Sequence, residues 1–291
     1  MKALCQNTGW YLFAVLTLGC GGVRPTPSAR PSPTVLLPQQ PIATPPISGS
    51  WSFKYSPGTI SYQISRSASI ELVSDSSSHR ETATNNTHEL LTLEAAADTG
   101  IGFTAVIDTF STTTQGLIGE IQTVPLPFQL TGYLTSDSLV ITRQGTNERC
   151  SPATSALIAD LYNILTPFPT QLSSATNWRD SVEIAGCQAT IPTISHTTRS
   201  YTVAGEVSYN GQPVVEIHRT DTTLARGEGG LQQHRVVLEA NGTGNAIYYL
   251  DTSTGRITHF VLDQELAISI TASGKESRFK QNAKEAFTAV P

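Results

Sequence analysis

From residue 50 to the C-terminus, apolar and polar side chains alternate with a period of two, the pattern of strands with one buried face. Trp51, Phe53 and Tyr55 alternate, and Ile60, Tyr62, Ile64, Ala68, Ile70 and Leu72 follow with Arg66 the single interruption, which predicts one long or bent strand. Further strand-like runs occupy 90–95, 101–110, 128–134 and 139–141, the last after a Ser136-Asp137 turn. In the second half, 201–209 runs into Asn210-Gly211, a strong hairpin signal, and 214–224 returns. Runs at 235–240, 245–250, 256–271 and 276–289 complete the series, separated by Asn241-Gly242-Thr243-Gly244, Ser253-Thr254-Gly255 and Ser273-Gly274. No strict internal repeat is present.

One segment changes period. Ser151 suits a helix N-cap and Pro152 the first helical position, after which Leu157, Leu161, Ile164 and Leu165 fall on one face until Pro167 and Pro169 end the helix. The predicted fold is therefore mainly β, a curved antiparallel meander (half-barrel or open sandwich) with one inserted α-helix. Residues 49–149 form the first sheet half, 150–177 the helix and crossover, and 178–291 the second sheet half. Ala105-Val106-Ile107, Leu139-Val140-Ile141, Ile247-Tyr248-Tyr249-Leu250 and Phe260-Val261-Leu262 are apolar on both faces, which a sheet with one wet face does not need. Both sides are expected to be covered, either by the helix and a folded-over sheet or by a bound apolar ligand. In the second case Leu157, Leu161, Ile164 and Leu165 would form the lid of a ligand cavity.

The N-terminus has a different character. Met1 and Lys2 precede a ten-residue apolar stretch at 9–18, too short to span a bilayer, and it ends in Leu16-Thr17-Leu18-Gly19-Cys20. This pentapeptide resembles the lipobox of bacterial lipoproteins, departing from the common form at Thr17. The resemblance covers twenty residues and implies a signal peptide at 1–19 and a diacylated Cys20 as the mature N-terminus; the alternative is an ordinary secretory signal with an incidental cysteine. Residues 20–48 read as the lipidated cysteine and a Pro-rich tether, since 23–48 carry eight of the 17 prolines. Extended as polyproline II, such a tether reaches on the order of 80–90 Å. Gly21 stands where an Asp commonly retains lipoproteins at the inner membrane, which by analogy implies the outer membrane where a cell has both.

Composition narrows the partners. Charged residues make up 14% of the chain against about 25% typically. With 18 basic and 23 acidic side chains and a pI near 5.7, the chain lacks the clustered positive charge of a nucleic-acid binder. Once Cys5 leaves with the signal and Cys20 is acylated, Cys150 and Cys187 remain. In an oxidising compartment they are expected to form a structural disulfide closing a loop of about 38 residues. A metal or redox pair would want C-x-x-C spacing or nearby histidines, and neither is present.

No catalytic constellation emerges, so no enzyme activity, cofactor or metal is predicted. Ser277-Arg278-Phe279-Lys280 matches S-x-x-K but sits in a predicted strand rather than on a helix turn. Of the six histidines (79, 88, 196, 218, 234 and 259), His234 shares the parity of Val236 and Leu238 and is expected at the core or its boundary, whereas His259 is expected to face solvent. Glu216 and His218 share a strand face without a visible third partner. Arg278, Lys280 and Lys284 align on one face, to meet lipid headgroups or, with Glu276 and Glu285 close by, to protect an edge strand by charge. The acceptor motifs Asn85-Asn86-Thr87 and Asn241-Gly242-Thr243 read as turn chemistry.

A curved meander with an inserted helix, hung from a lipobox by a tether, resembles in architecture the half-barrel lipid-binding lipoproteins related to the Lol carrier fold. Pro167-Phe168-Pro169 with Trp178-Arg179-Asp180 is also similar to the mid-chain Leu-Pro and Gly-x-x-Trp pattern of uncharacterised envelope lipoproteins, with Asn177 before the Trp and the Gly missing. Neither family supplies catalytic residues. The expected function is a lipid-anchored cell-envelope protein that binds a lipid or other apolar ligand. The alternative is a structural or protein-interaction lipoprotein with a solid core.

Overall fold

The computed structural model describes residues 46–73, 80–95, 100–115, 126–143, 152–188, 191–230 and 235–290. The lipobox, most of the tether, Cys150, His79 and His234 lie outside them. Period-two alternation becomes long strands: β1 (Ser50–Ser52), β2 (Gly58–Leu72), β3 (Arg80–Ala95), β4 (Ile101–Gln115), β5 (Phe128–Leu134) and β6 (Leu139–Arg143). Helix α1 (Pro152–Ile164) follows, then β7 (Gln171–Ser173), β8 (Asn177–Gln188), β9 (Ile191–Tyr209), β10 (Gln212–Gly229), β11 (Val236–Asp251), β12 (Arg256–Ala272) and β13 (Lys275–Val290). β1 and β7 pair as a small ribbon, and the other eleven strands make one antiparallel sheet ordered β6-β5-β4-β3-β2-β13-β12-β11-β10-β9-β8. Two meanders are thus fused where β2 pairs with β13, Phe287 opposite Ile64. The result is the curved, unclosed meander with one inserted helix that the alternation predicts.

Helix α1 lies in sequence between β6 and β8, the two ends of the sheet order, and it packs on the concave face. There it meets one continuous apolar level, in register across the strands: Ile64, Phe287, Phe260, Tyr248, Ile217 and Val203. Leu157, Leu161, Ile164 and Leu165 are at most 1% exposed in this core. Phe53, Tyr55 and Phe168, from the segments beside the β1–β7 ribbon, and Leu172 of β7 itself complete it. The end of α1 leaves carbonyls without helical partners. The Tyr55 hydroxyl donates to the Ile164 and Thr166 oxygens at 3.1 and 2.9 Å, and Arg199 Nη1 donates to the Tyr162 oxygen at 3.0 Å. A buried cation there also complements the helix dipole.

Several local expectations change. The stretch 51–72 is two strands, because Gly58 takes φ +134° where β2 begins and Phe53 and Tyr55 plug the core from the connecting segment. Asn241-Gly242-Thr243-Gly244 is no turn but the middle of β11, and Asn85-Asn86-Thr87 lies within β3. A Cβ at Gly242 would stand 2.0 Å from the Glu265 carbonyl oxygen, so glycine here permits close strand approach. β13 is no edge strand, because β2 and β12 flank it; Arg278, Lys280 and Lys284 instead pair with Glu276, Glu265 and Asp263 on the convex face. His259 is buried rather than solvent-facing, because its ring stacks with Tyr209 and Tyr249 on the convex face and its Nδ1 lies 2.8 Å from Thr288 Oγ1. Burial lowers its pKa. Among the described residues no second sheet covers the convex face. There Val106, Ile247 and Val261 are half-buried among their strand neighbours. The hairpins at Asn210-Gly211 and Ser273-Gly274 are as expected, all four residues having positive φ.

Candidate ligand cavity

Beyond the apolar level the concave face becomes polar. Because alternate residues point inward, strand register arranges the inward side chains in levels across the sheet. The next level reads Arg66, Glu285, Leu262, Ala246, Arg219, Tyr201 and Trp178, and the one above it Ala68, Ala283, Gln264, Gly244, Asp221, Arg199 and Asp180. Above these come Ile70, Gln281, Leu266, Gly242, Thr223, Thr197 and Val182. A fourth level, Leu72, Phe279, Ile268, Ala240, Ala225, Ser195 and Ile184, is apolar apart from Ser195, and on the central strands it forms a second cluster with Leu238 and Ile270. The short side chains of Ala68 and Ala283 leave space between the two apolar zones. A cavity of about 320 Å³ occupies it, closed on the helix side by Ser155, Ala156, Ala159, Tyr162 and Asn163. This is at the low end of the roughly 300–1,000 Å³ typical of small-ligand pockets.

The floor of the cavity is a buried ion network tying α1 to the sheet. Arg66 ion-pairs with Asp160 and donates through Nε to Glu285 Oε2 at 3.1 Å. Asn163 Nδ2 donates to Glu285 Oε1 at 2.9 Å and its Oδ1 accepts from Arg219 Nη1 at 2.9 Å. Arg219 also donates to the Tyr248 hydroxyl and, at 2.8 Å, to Asp221 Oδ2. Arg199 grips Asp180 with two bonds of 2.7 and 2.6 Å. Burial pushes the Asp160 carboxyl well above the usual carboxylate range against the pull of Arg66, and it raises Asp221 against the pull of Arg219. Nearby on β3, Glu89 is fully buried, and among the described residues neither of its oxygens has a hydrogen-bond partner. Desolvation raises its pKa to about 8, with Arg66 opposing.

The expected lid residues do not line this space. Leu157, Leu161, Ile164 and Leu165 fill the core, and a different flank of α1 faces the cavity. The apolar stripe of a helix seeks the apolar level of the sheet, whereas Asp160 and Asn163 seek Arg66 and Arg219. Cys187 is buried at the end of β8, where its N–H donates to Ser155 Oγ at 2.8 Å, beside the first turns of α1; Cys150, the predicted partner, lies outside the described residues. Glu216 and His218 meet at 2.6 Å on the convex face, apart from the cavity. Ser277 and Lys280 point to opposite faces of β13, with Lys280 bound to Glu265 at 2.9 Å. Among the described residues no group of three His, Cys, Asp or Glu could hold a metal ion, and no helix is long and apolar enough to cross a membrane.

Arg66 and Glu285 were noticed in the sequence without this role, and Asp160, Arg199, Arg219, Asp221 and Glu89 were missed. On the strands the signal was charge at inward parity, whereas Asp160 lies on α1. No protein-family model matches the chain, and no curated protein does.

Proposed function

We propose that this chain is a lipid-anchored cell-envelope protein whose sheet domain binds one small amphiphilic molecule. The observation that carries the reading is the cavity, with hydroxyl, amide and charged groups on one side and aliphatic groups on the other. A solid-cored structural lipoprotein would have no use for side chains as short as Ala68 and Ala283 between two apolar clusters. The size suits a small molecule or a single short chain better than a whole phospholipid. Protein isolated from its own envelope should therefore carry a bound amphiphile, and a cavity-filling substitution should remove it.

The anchor reading rests on Leu16-Thr17-Leu18-Gly19-Cys20 and the Pro-rich stretch after it. Two or more acyl chains hold a protein stably at a bilayer, where one does not. Gly21 favours the outer membrane. The Cys150–Cys187 disulfide would clamp the start of α1 to the end of β8, consistent with the Ser155–Cys187 contact. Mass mapping of the protein extracted from membranes is expected to find an acylated Cys20 as the N-terminal residue and a linked Cys150–Cys187 peptide pair. An intact or unmodified N-terminus would refute the anchor, and two alkylatable thiols in the folded protein would refute the bridge.

A further inference from the structure

The cavity of the proposed function has unequal hydrogen-bonding capacity, and this bears on the head of its ligand. Each buried arginine at the floor is already engaged by carboxylates: Arg66 by Asp160 and Glu285, Arg199 by Asp180, Arg219 by Asp221. Little donor capacity is left for an anion. Acceptors are in surplus. Asp221 Oδ1 and Gln281 Oε1 have no donor among the described residues, and both side chains project from the concave face at residues lining the cavity, 4% and 5% exposed. Arg219 Nε, on the side chain that binds Asp221, also has no partner among the described residues, and a hydroxyl could accept from it while donating to Asp221. Buried polar atoms without partners cost about 1–3 kcal/mol each, so a molecule supplying donors gains what the protein lacks.

The opposite end is apolar. From Asp221 the inward positions of β10 run through Thr223 to Ala225, which packs against the second apolar cluster. Four residues of strand span about 13 Å, within reach of an octyl chain and its head group. We infer that the cavity takes a single-chain amphiphile whose head donates hydrogen bonds, a hydroxyl or an ammonium, with the head at Asp221, in the space whose wall also carries the free Gln281 acceptor, and the chain toward Ala225, Ile268 and Phe279. Fatty acids and phosphate-headed lipids are disfavoured, because their heads bring only acceptors and negative charge to a place already rich in both.

The inference rests on the binding reading, and one titration separates the two. Full-length protein in lipid nanodiscs, with empty nanodiscs as blank, is titrated calorimetrically with octanol, octylamine and octanoate. Octanol or octylamine, or both, should bind at least about tenfold tighter than octanoate, the factor expected of one hydrogen bond to a charged group. The order of the first two identifies the head. Asp221→Asn should erase most of the preference. Because Asp221 also holds Arg219, Gln281→Met serves as a second variant that removes one free acceptor at similar volume, and it should narrow the preference without lowering octanoate affinity. Octanoate binding as tightly as the others, or a preference unchanged in both variants, overturns the head assignment and leaves the binding reading standing. No saturable binding of any of the three overturns both.

Discussion

Replacing Arg66 by methionine is expected to cost about 3–5 kcal/mol of stability, the usual result of removing one partner from a buried ion cluster. Arg66 is 18% exposed in its side chain, whereas Asp160 and Glu285 are 1% and 9% exposed and share it as their common cation. Without it two carboxyl groups remain together in a poorly hydrated site, and one must take up a proton or the helix must move. Equilibrium urea unfolding checks the size of the loss. For a domain of about 240 residues the melting temperature should fall by roughly 10 °C. Adding Asp160→Asn and Glu285→Gln to the Arg66→Met background should restore much of the loss, because neither carboxylate that relied on Arg66 is then left without its cation. A loss under about 1 kcal/mol would mean that the network is as wet as a surface salt bridge.

Glu89→Gln should act in the opposite direction. The Glu89 carboxyl titrates near pH 8 in the folded protein against 4.5 in a solvated chain, because burial disfavours its charged form. A carboxyl raised in this way leaves stability intact below pH 4.5 and erodes it as pH rises toward 8, since the folded state holds the proton longer. At about 1.4 kcal/mol per pH unit the erosion by pH 7 is roughly 3 kcal/mol. The amide should therefore stabilise the protein by about 2–3 kcal/mol at pH 7.5 and by little at pH 4, measured as unfolding free energy against pH. Equal stability of both forms across this range would show that Glu89 is solvated or paired.

Strand alternation made the sheet legible where the inward positions of a strand are apolar. It failed where they are polar or small, as at Thr87 and Glu89 of β3. β8 went unread and the start of β9 was missed, because inward positions such as Val182, Gly186, Thr193, Ser195 and Thr197 contrast little with the outward ones. Gly242 and Gly244 resemble a turn until β12 is known to press against β11. The apolar stripe located α1 correctly, but which flank borders a cavity depends on long-range pairing with Arg66 and Arg219, which local periodicity does not carry. Arg66 was visible as the single break in the 60–72 pattern. Its significance required Glu285, more than two hundred residues away and opposite it in register.

Native mass spectrometry of the full-length protein extracted from its own envelope, beside Ala283→Leu, tests the binding reading most directly. Ala283 lines the cavity and lies opposite Ala68, and leucine there would fill much of the space. The account predicts a bound small amphiphile on the wild type at about one per chain and its loss from a variant that still folds, whereas wild-type protein free of any bound molecule, or equal loading of both proteins, would contradict it.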